Sequence, residues 1–65
     1  MKILLAEIMR KRHLTLRQTS ILTQIPKSTL ARIRSGESSP TMDQMEQIAR
    51  GLRIHIQDLY SSDYQ

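Results

Sequence analysis

The chain has 65 residues, no cysteine and a net charge of +4. That length allows one small domain, which buries only about 60% of its unfolded-chain surface, and without cysteine neither a disulfide nor a thiolate metal site can staple it. His13 and His55 are far apart in sequence and make a poor zinc pair, and nothing approaches the roughly 20 apolar residues of a membrane span.

The opening MKILLAEIM is read as helix and not as a signal peptide. Its short apolar run is interrupted by Glu7, and no small-residue cleavage site follows. A soluble, cytoplasmic protein is therefore expected. Leu4, Leu5, Ile8 and Met9 recur at helical spacing and predict a first helix over residues 2–12. His13 occupies its stop position, where Gly or Asn would take a left-handed conformation more easily.

Thr15 reads as the N-cap of a second helix. Gln18, three residues later, completes a capping box in which each side chain satisfies a free amide of the first turn. Leu16, Ile21 and Leu22 are its apolar positions, and Ser20 is a small residue facing the next helix. The pattern breaks near Gln24. A third helix starts at Pro26, since proline is tolerated in a first turn where its missing N–H costs nothing. Ile25 packs at its entrance and Leu30 and Ile33 point inward. Positions 27, 28, 31, 32 and 35 then fall on the opposite face. Gly36 is the left-handed cap.

After a polar loop over 37–40, Thr41 and Gln44 form a second capping box. Met42, Met45, Ile48, Ala49 and Leu52 are the apolar stripe of the fourth helix, and its methionines are read as core. His55 caps a short final helix with Ile56, Leu59 and Tyr60 as apolar positions. Ile54, Ile56 and Tyr60 either close the core beneath the first helix or form part of a dimer contact. Residues 61–65 are read as a loose polar tail. No strand alternation, repeat or linker is found. The expectation is an all-α bundle of about five short helices over residues 1–60.

The charge is unevenly placed. Residues 8–36 hold seven bases and no acid, a net of +7; residues 37–65 hold two bases against five acids, a net of −3. One end of the molecule is thus expected to face a polyanion. A short helix whose outer face is Lys, Ser, Ala and Arg suits the major groove of DNA.

The segments "LT" at 14–15, "RQ" at 17–18, "IPKSTLARI" at 25–33, "SG" at 35–36, "SPTMDQMEQIARGL" at 39–52 and "IHIQDLY" at 54–60 occur in a joint order. By them the chain, from Ile3 to Tyr60, resembles the phage repressor and Cro-type helix-turn-helix domain, often called the Xre family. The resemblance implies a lambda-repressor-like bundle of about five helices in which helices 2 and 3 form the helix-turn-helix and helix 3 lies in the major groove. It also implies a homodimer on operator half-sites of double-stranded DNA, and repression of transcription. The chain departs from the pattern at several positions. Leu16 stands where many members place Gln, Thr19 replaces a buried Leu and Ser20 an Ala. Gln24, His13 and Arg53 stand where turns and helix stops usually carry Gly.

Lys27 and Ser28, in the first turn of helix 3, are candidates to reach base edges. Arg32, one turn on, suits a bidentate contact with guanine, and Ala31 suits a thymine methyl. Thr15, Arg17, Thr29, Arg34, Ser35, Ser38 and Ser39 are candidate phosphate contacts, which position a domain without reading sequence. Thr15 and Arg17 lie at a helix N-terminus, where free amides favour an anion. The alternative for Arg34 is a pairing with Glu37 or an acid of helix 4. The run Arg10-Lys11-Arg12 suits the C-terminal dipole of helix 1, with a flanking phosphate contact as the alternative.

No nucleophile and base stand at a recognisable spacing, and there is no Gly-rich phosphate loop or acidic metal cluster. No enzyme activity and no cofactor are expected. The leading expectation is a sequence-specific DNA-binding transcriptional regulator, a repressor acting by operator occupancy with no effector domain. The alternatives are an antitoxin that autoregulates its operon and binds a toxin-like protein, with Ile21 as a contact, or a protein-interaction module that has lost DNA binding.

Overall fold

The computed structural model describes residues 1–62. In chain order these are strand β1 (Lys2–Ile3), helices α1 (Leu5–Lys11), α2 (Leu16–Thr23), α3 (Lys27–Ser35) and α4 (Met42–Leu52), a single 3-10 turn (Ile56–Asp58) and strand β2 (Tyr60–Ser61). The fold is all-α, with four α-helices; the fifth helix expected from the sequence is the one 3-10 turn.

Two expectations about the chain ends are corrected. The first helix begins at Leu5 and not at residue 2, because Lys2 and Ile3 pair antiparallel with Ser61 and Tyr60. Leu4, at the N-cap, has no side chain able to accept from the first-turn amides, and its own amide donates to the Leu59 carbonyl at 2.8 Å. One of the backbone amides that an uncapped helix start would leave unsatisfied is thus paired with the other end of the chain. The segment read as a loose tail therefore begins inside the fold, with Ser61 in β2; residues 63–65 of that tail lie outside the described residues.

Local chemistry sets the other helix ends. Both capping boxes are formed: the Thr15 hydroxyl accepts from the Gln18 amide at 3.0 Å, and the Thr41 hydroxyl from the Gln44 amide at 3.1 Å. Gly36 ends α3 in the left-handed region at φ 86°. His13, Gln24 and Arg53 take the same conformation at φ 56°, 61° and 57°, each at a cost of about 1–2 kcal/mol for a residue with a Cβ. After α1, the Leu14 amide bonds the Met9 carbonyl at 2.8 Å and the His13 amide bonds that of Arg10 at 3.2 Å. This is a Schellman closure, built on His where Gly is usual.

The core is Leu5, Met9, Ile25, Leu30, Ile33, Met45, Ile48, Leu52 and Leu59. Ile54, Ile56 and Tyr60 pack against it, as does Leu16, so the C-terminal apolar residues close the core. Three apolar helix positions do not. Met42, at the first position of α4, and Ile21 are each 69% exposed, and Leu22 is 47% exposed. Leu22 lies on the outer side of α2 because the inner positions are taken by Thr19 and Thr23, both buried.

Those two threonines are buried with their hydroxyls satisfied. Thr19 Oγ1 donates to the Thr15 carbonyl at 2.9 Å and Thr23 Oγ1 to the Thr19 carbonyl at 2.7 Å. α2 can then approach α4 closely at Gly51, where an added Cβ would meet the Leu22 carbonyl oxygen at 2.4 Å. From α1, the Arg12 guanidinium reaches across to the Leu52 carbonyl at the end of α4. Such a donor satisfies a carbonyl that a helix end leaves free. No described helix is long and apolar enough to cross a membrane.

Candidate nucleic-acid interface

α3 is held from below and bare above. Leu30 and Ile33 are buried in the core, while Lys27, Ser28 and Arg32 are exposed and Ala31 is half-buried. With 3.6 residues per turn, positions 27, 28, 31, 32 and 35 make one continuous stripe along the helix. Its first turn is free of side-chain capping, since Pro26 precedes it and contributes no side-chain hydrogen bond. Lys27 and Ser28 thus stand at an open helix N-terminus, where the backbone itself is electropositive.

The turn that sets the angle between α2 and α3 is pinned by polar side chains. Ser20 Oγ donates to the Ile25 carbonyl at 2.6 Å. Thr23 Oγ1 accepts from the Ile25 amide at 3.3 Å. From α4, Gln47 Nε2 donates to the Thr23 carbonyl at 2.9 Å. These contacts hold the turn although Gln24 occupies its left-handed position. Sequence reasoning gave Ser20 only a packing role and did not single out Gln47. Nothing in local spacing marks a contact made from 24 residues away.

The candidate phosphate contacts fall into two groups. Thr15 and Arg17 are exposed at the start of α2. Thr15 Oγ1 accepts the Gln18 amide, and its own hydrogen has no acceptor among the described residues, so it is available to an anion. Leu16 between them is half-buried against the core, so its side chain is a packing group. Arg34, Ser35, Ser38 and Ser39 cluster instead at the end of α3 and in the loop that follows. Ser35 Oγ is engaged by neighbouring backbone, donating to the Arg32 carbonyl at 3.1 Å and accepting from the Glu37 amide at 3.4 Å. Thr29 is half-buried on the flank of α3, apart from the exposed stripe.

Electrostatically the face is uncompensated. The ion pairs among the described residues are Lys2–Glu7 at 3.3 Å and Arg50–Glu46 at 2.8 Å. Arg17, Lys27, Arg32 and Arg34 take part in neither, and the Arg34–Glu37 pairing is not formed. Four cations on and around one helix–turn–helix surface therefore keep their charge free for a polyanion. No cluster of three or more His, Asp or Glu side chains placed to hold a metal is found among the described residues.

Residues 5–59 match the family model described as helix-turn-helix. No curated protein matches the chain, and no solved structure does.

Proposed function

The chain belongs to the helix-turn-helix family, of the Cro and Xre type, a family of DNA-binding regulators; on that premise we propose that it is a sequence-specific repressor acting by operator occupancy. In this reading α3 lies in the major groove of double-stranded DNA in the cytoplasm. Lys27 and Arg32 donate to guanine, Ser28 bonds a neighbouring base edge and Ala31 touches a thymine methyl. Thr15, Arg17, Thr29, Arg34, Ser35, Ser38 and Ser39 contact phosphates, Ser35 after its hydroxyl releases the backbone. A homodimer reads two half-sites about 34–36 Å apart.

The observation that carries the reading is the α3 stripe. Lys27, Ser28 and Arg32 are exposed and unpaired and Ala31 is half-buried between them, while Leu30 and Ile33 beneath lock the helix to the core. A recognition helix has to be rigid in the protein and undecorated toward its target. The test is selection of bound fragments from a random-sequence duplex library, with the wild type and with Lys27→Ala/Arg32→Ala. A palindromic motif lost in the double variant is expected. A folded wild type that enriches no motif would overturn the proposal.

A second reading is supported by α2. Ile21 is 69% exposed beside the half-buried Leu14 and the partly exposed Leu22, an apolar spot on a face the DNA-reading stripe does not use. In an antitoxin that autoregulates its operon, such a spot contacts a toxin-like protein. A toxin-like reading frame adjoining the gene, whose product co-purifies with the wild type but not with Ile21→Glu, is what this reading requires.

A further inference from the structure

The α3 stripe runs into a crevice. It has a volume of about 380 Å³ and is bounded by two stretches that are remote in sequence: β1 with the start of α1, and the end of α3 with the loop after it. Lys2 and Glu7 form one wall, Arg34 and Ser35 another, and Ser38 and Ser39 the third. Ser35 belongs to the stripe and to the crevice, so the two surfaces are continuous.

The crevice is built for an anion with one exception. Arg34 has no ion-pair partner among the described residues, and no described group bonds the Ser38 or Ser39 hydroxyl. Lys2 is not a loose terminal side chain, since its backbone is paired with Ser61. The exception is Glu7, the one acid lining the crevice, which holds Lys2 Nζ at 3.3 Å. The pair is exposed, 72% for Lys2 and 39% for Glu7. Exposed pairs hold their partners weakly and are readily exchanged for another anion.

Building on the DNA-binding reading above, we propose that Lys2 is a phosphate-binding residue of the DNA interface, kept by Glu7 in the free protein and transferred to a backbone phosphate in the complex. Glu7 then opposes binding twice: it competes for the Lys2 ammonium and repels the incoming phosphate. Residues at the start of the chain become part of the interface because β2 fastens them beside the end of α3.

The sign of two substitutions separates this from a structural role. Lys2→Ala and Glu7→Gln break the same ion pair. If the pair only braces the fold, both weaken DNA binding or neither does. In the proposal they act in opposite directions. Affinity for a fluorescent mixed-sequence DNA duplex of about two helical turns is measured by anisotropy across a salt series, with Lys27→Ala/Arg32→Ala as a third variant. Lys2→Ala is expected to bind several-fold more weakly and to lower the magnitude of the log–log salt slope by about 0.9, one phosphate contact. Glu7→Gln is expected to bind several-fold more tightly. Shifts in the same direction, or an unchanged slope in Lys2→Ala, overturn the proposal alone. A folded wild type that does not bind the duplex at any salt overturns the DNA-binding reading, and this inference with it.

Discussion

The α-carbon of Gly51 lies directly against the carbonyl of Leu22. A Cβ built at Gly51 would stand 2.4 Å from the Leu22 oxygen and 2.8 Å from the Thr23 α-carbon. This contact brings the last turn of α4 to the backbone of α2, at the end of α2 where the turn into α3 begins. It therefore helps to set the position of the α3 stripe.

Gly51→Ala is accordingly expected to destabilise the fold. Inside a helix the exchange ordinarily gains about 1 kcal/mol. Here the methyl meets backbone, which cannot rotate away, and overpacking of that kind costs about 1–3 kcal/mol or more. Urea denaturation followed by circular dichroism measures the balance. An alanine variant as stable as the wild type would show that α2 and α4 can separate freely.

The two buried threonines should respond differently to the same change. Thr19 Oγ1 donates to a carbonyl that already accepts from the amide four residues on, as in any helix. Thr19→Val then leaves no buried group unpaired and should be close to neutral. Thr23 Oγ1 also accepts the Ile25 amide, which has no other partner among the described residues. Thr23→Val orphans that amide, at about 1–3 kcal/mol. Equal denaturation midpoints for the two variants would contradict this assignment.

Replacing a strained cap should stabilise. Gln24 and Arg53 hold φ of 61° and 57°, and glycine takes that conformation without steric cost. Gln24→Gly and Arg53→Gly are each expected to add about 1 kcal/mol, less the extra entropy of an unfolded glycine. In a domain this small 1 kcal/mol corresponds to a melting shift of about 4–8 °C. The Gln24 contacts that matter are backbone ones, so they survive the exchange. A lowered melting temperature would mean that the side chains do more than the structure assigns them.

Thr15→Ala tests whether one residue caps and binds. Loss of the cap alone is expected to cost about 1 kcal/mol of stability. If the hydroxyl hydrogen also reaches a phosphate, DNA affinity falls by more than the loss of folded protein explains, and Thr15→Ser restores both. A variant whose binding, corrected for the folded fraction, equals that of the wild type would leave Thr15 with capping alone.

What could be read along the chain was local. The capping boxes at Thr15 and Thr41, the helix stops at His13 and Gly36, and the inward placing of Leu30 and Ile33 all depend on groups three or four residues apart; Gln24 and Arg53 stand out only against the family pattern. A helix brings such groups together whatever surrounds it. The same periodicity made the α3 stripe legible; the family was legible in the joint order of segments such as "IPKSTLARI" at 25–33 and "SPTMDQMEQIARGL" at 39–52.

Tertiary structure decided the rest. Leu22 and Met42 match the apolar spacing of their helices, yet they face outward because only the folded core determines which side of a stripe is covered. Leu16, in the first turn of α2, packs against the core. Lys2 pairs with Ser61, Gln47 braces the turn at Thr23, and Arg12 closes the end of α4 at Leu52. Each of these joins residues far apart in sequence, and no spacing along the chain encodes them. They exist because packing four helices around one core brings distant backbone groups together, and every buried polar group among them then needs a partner.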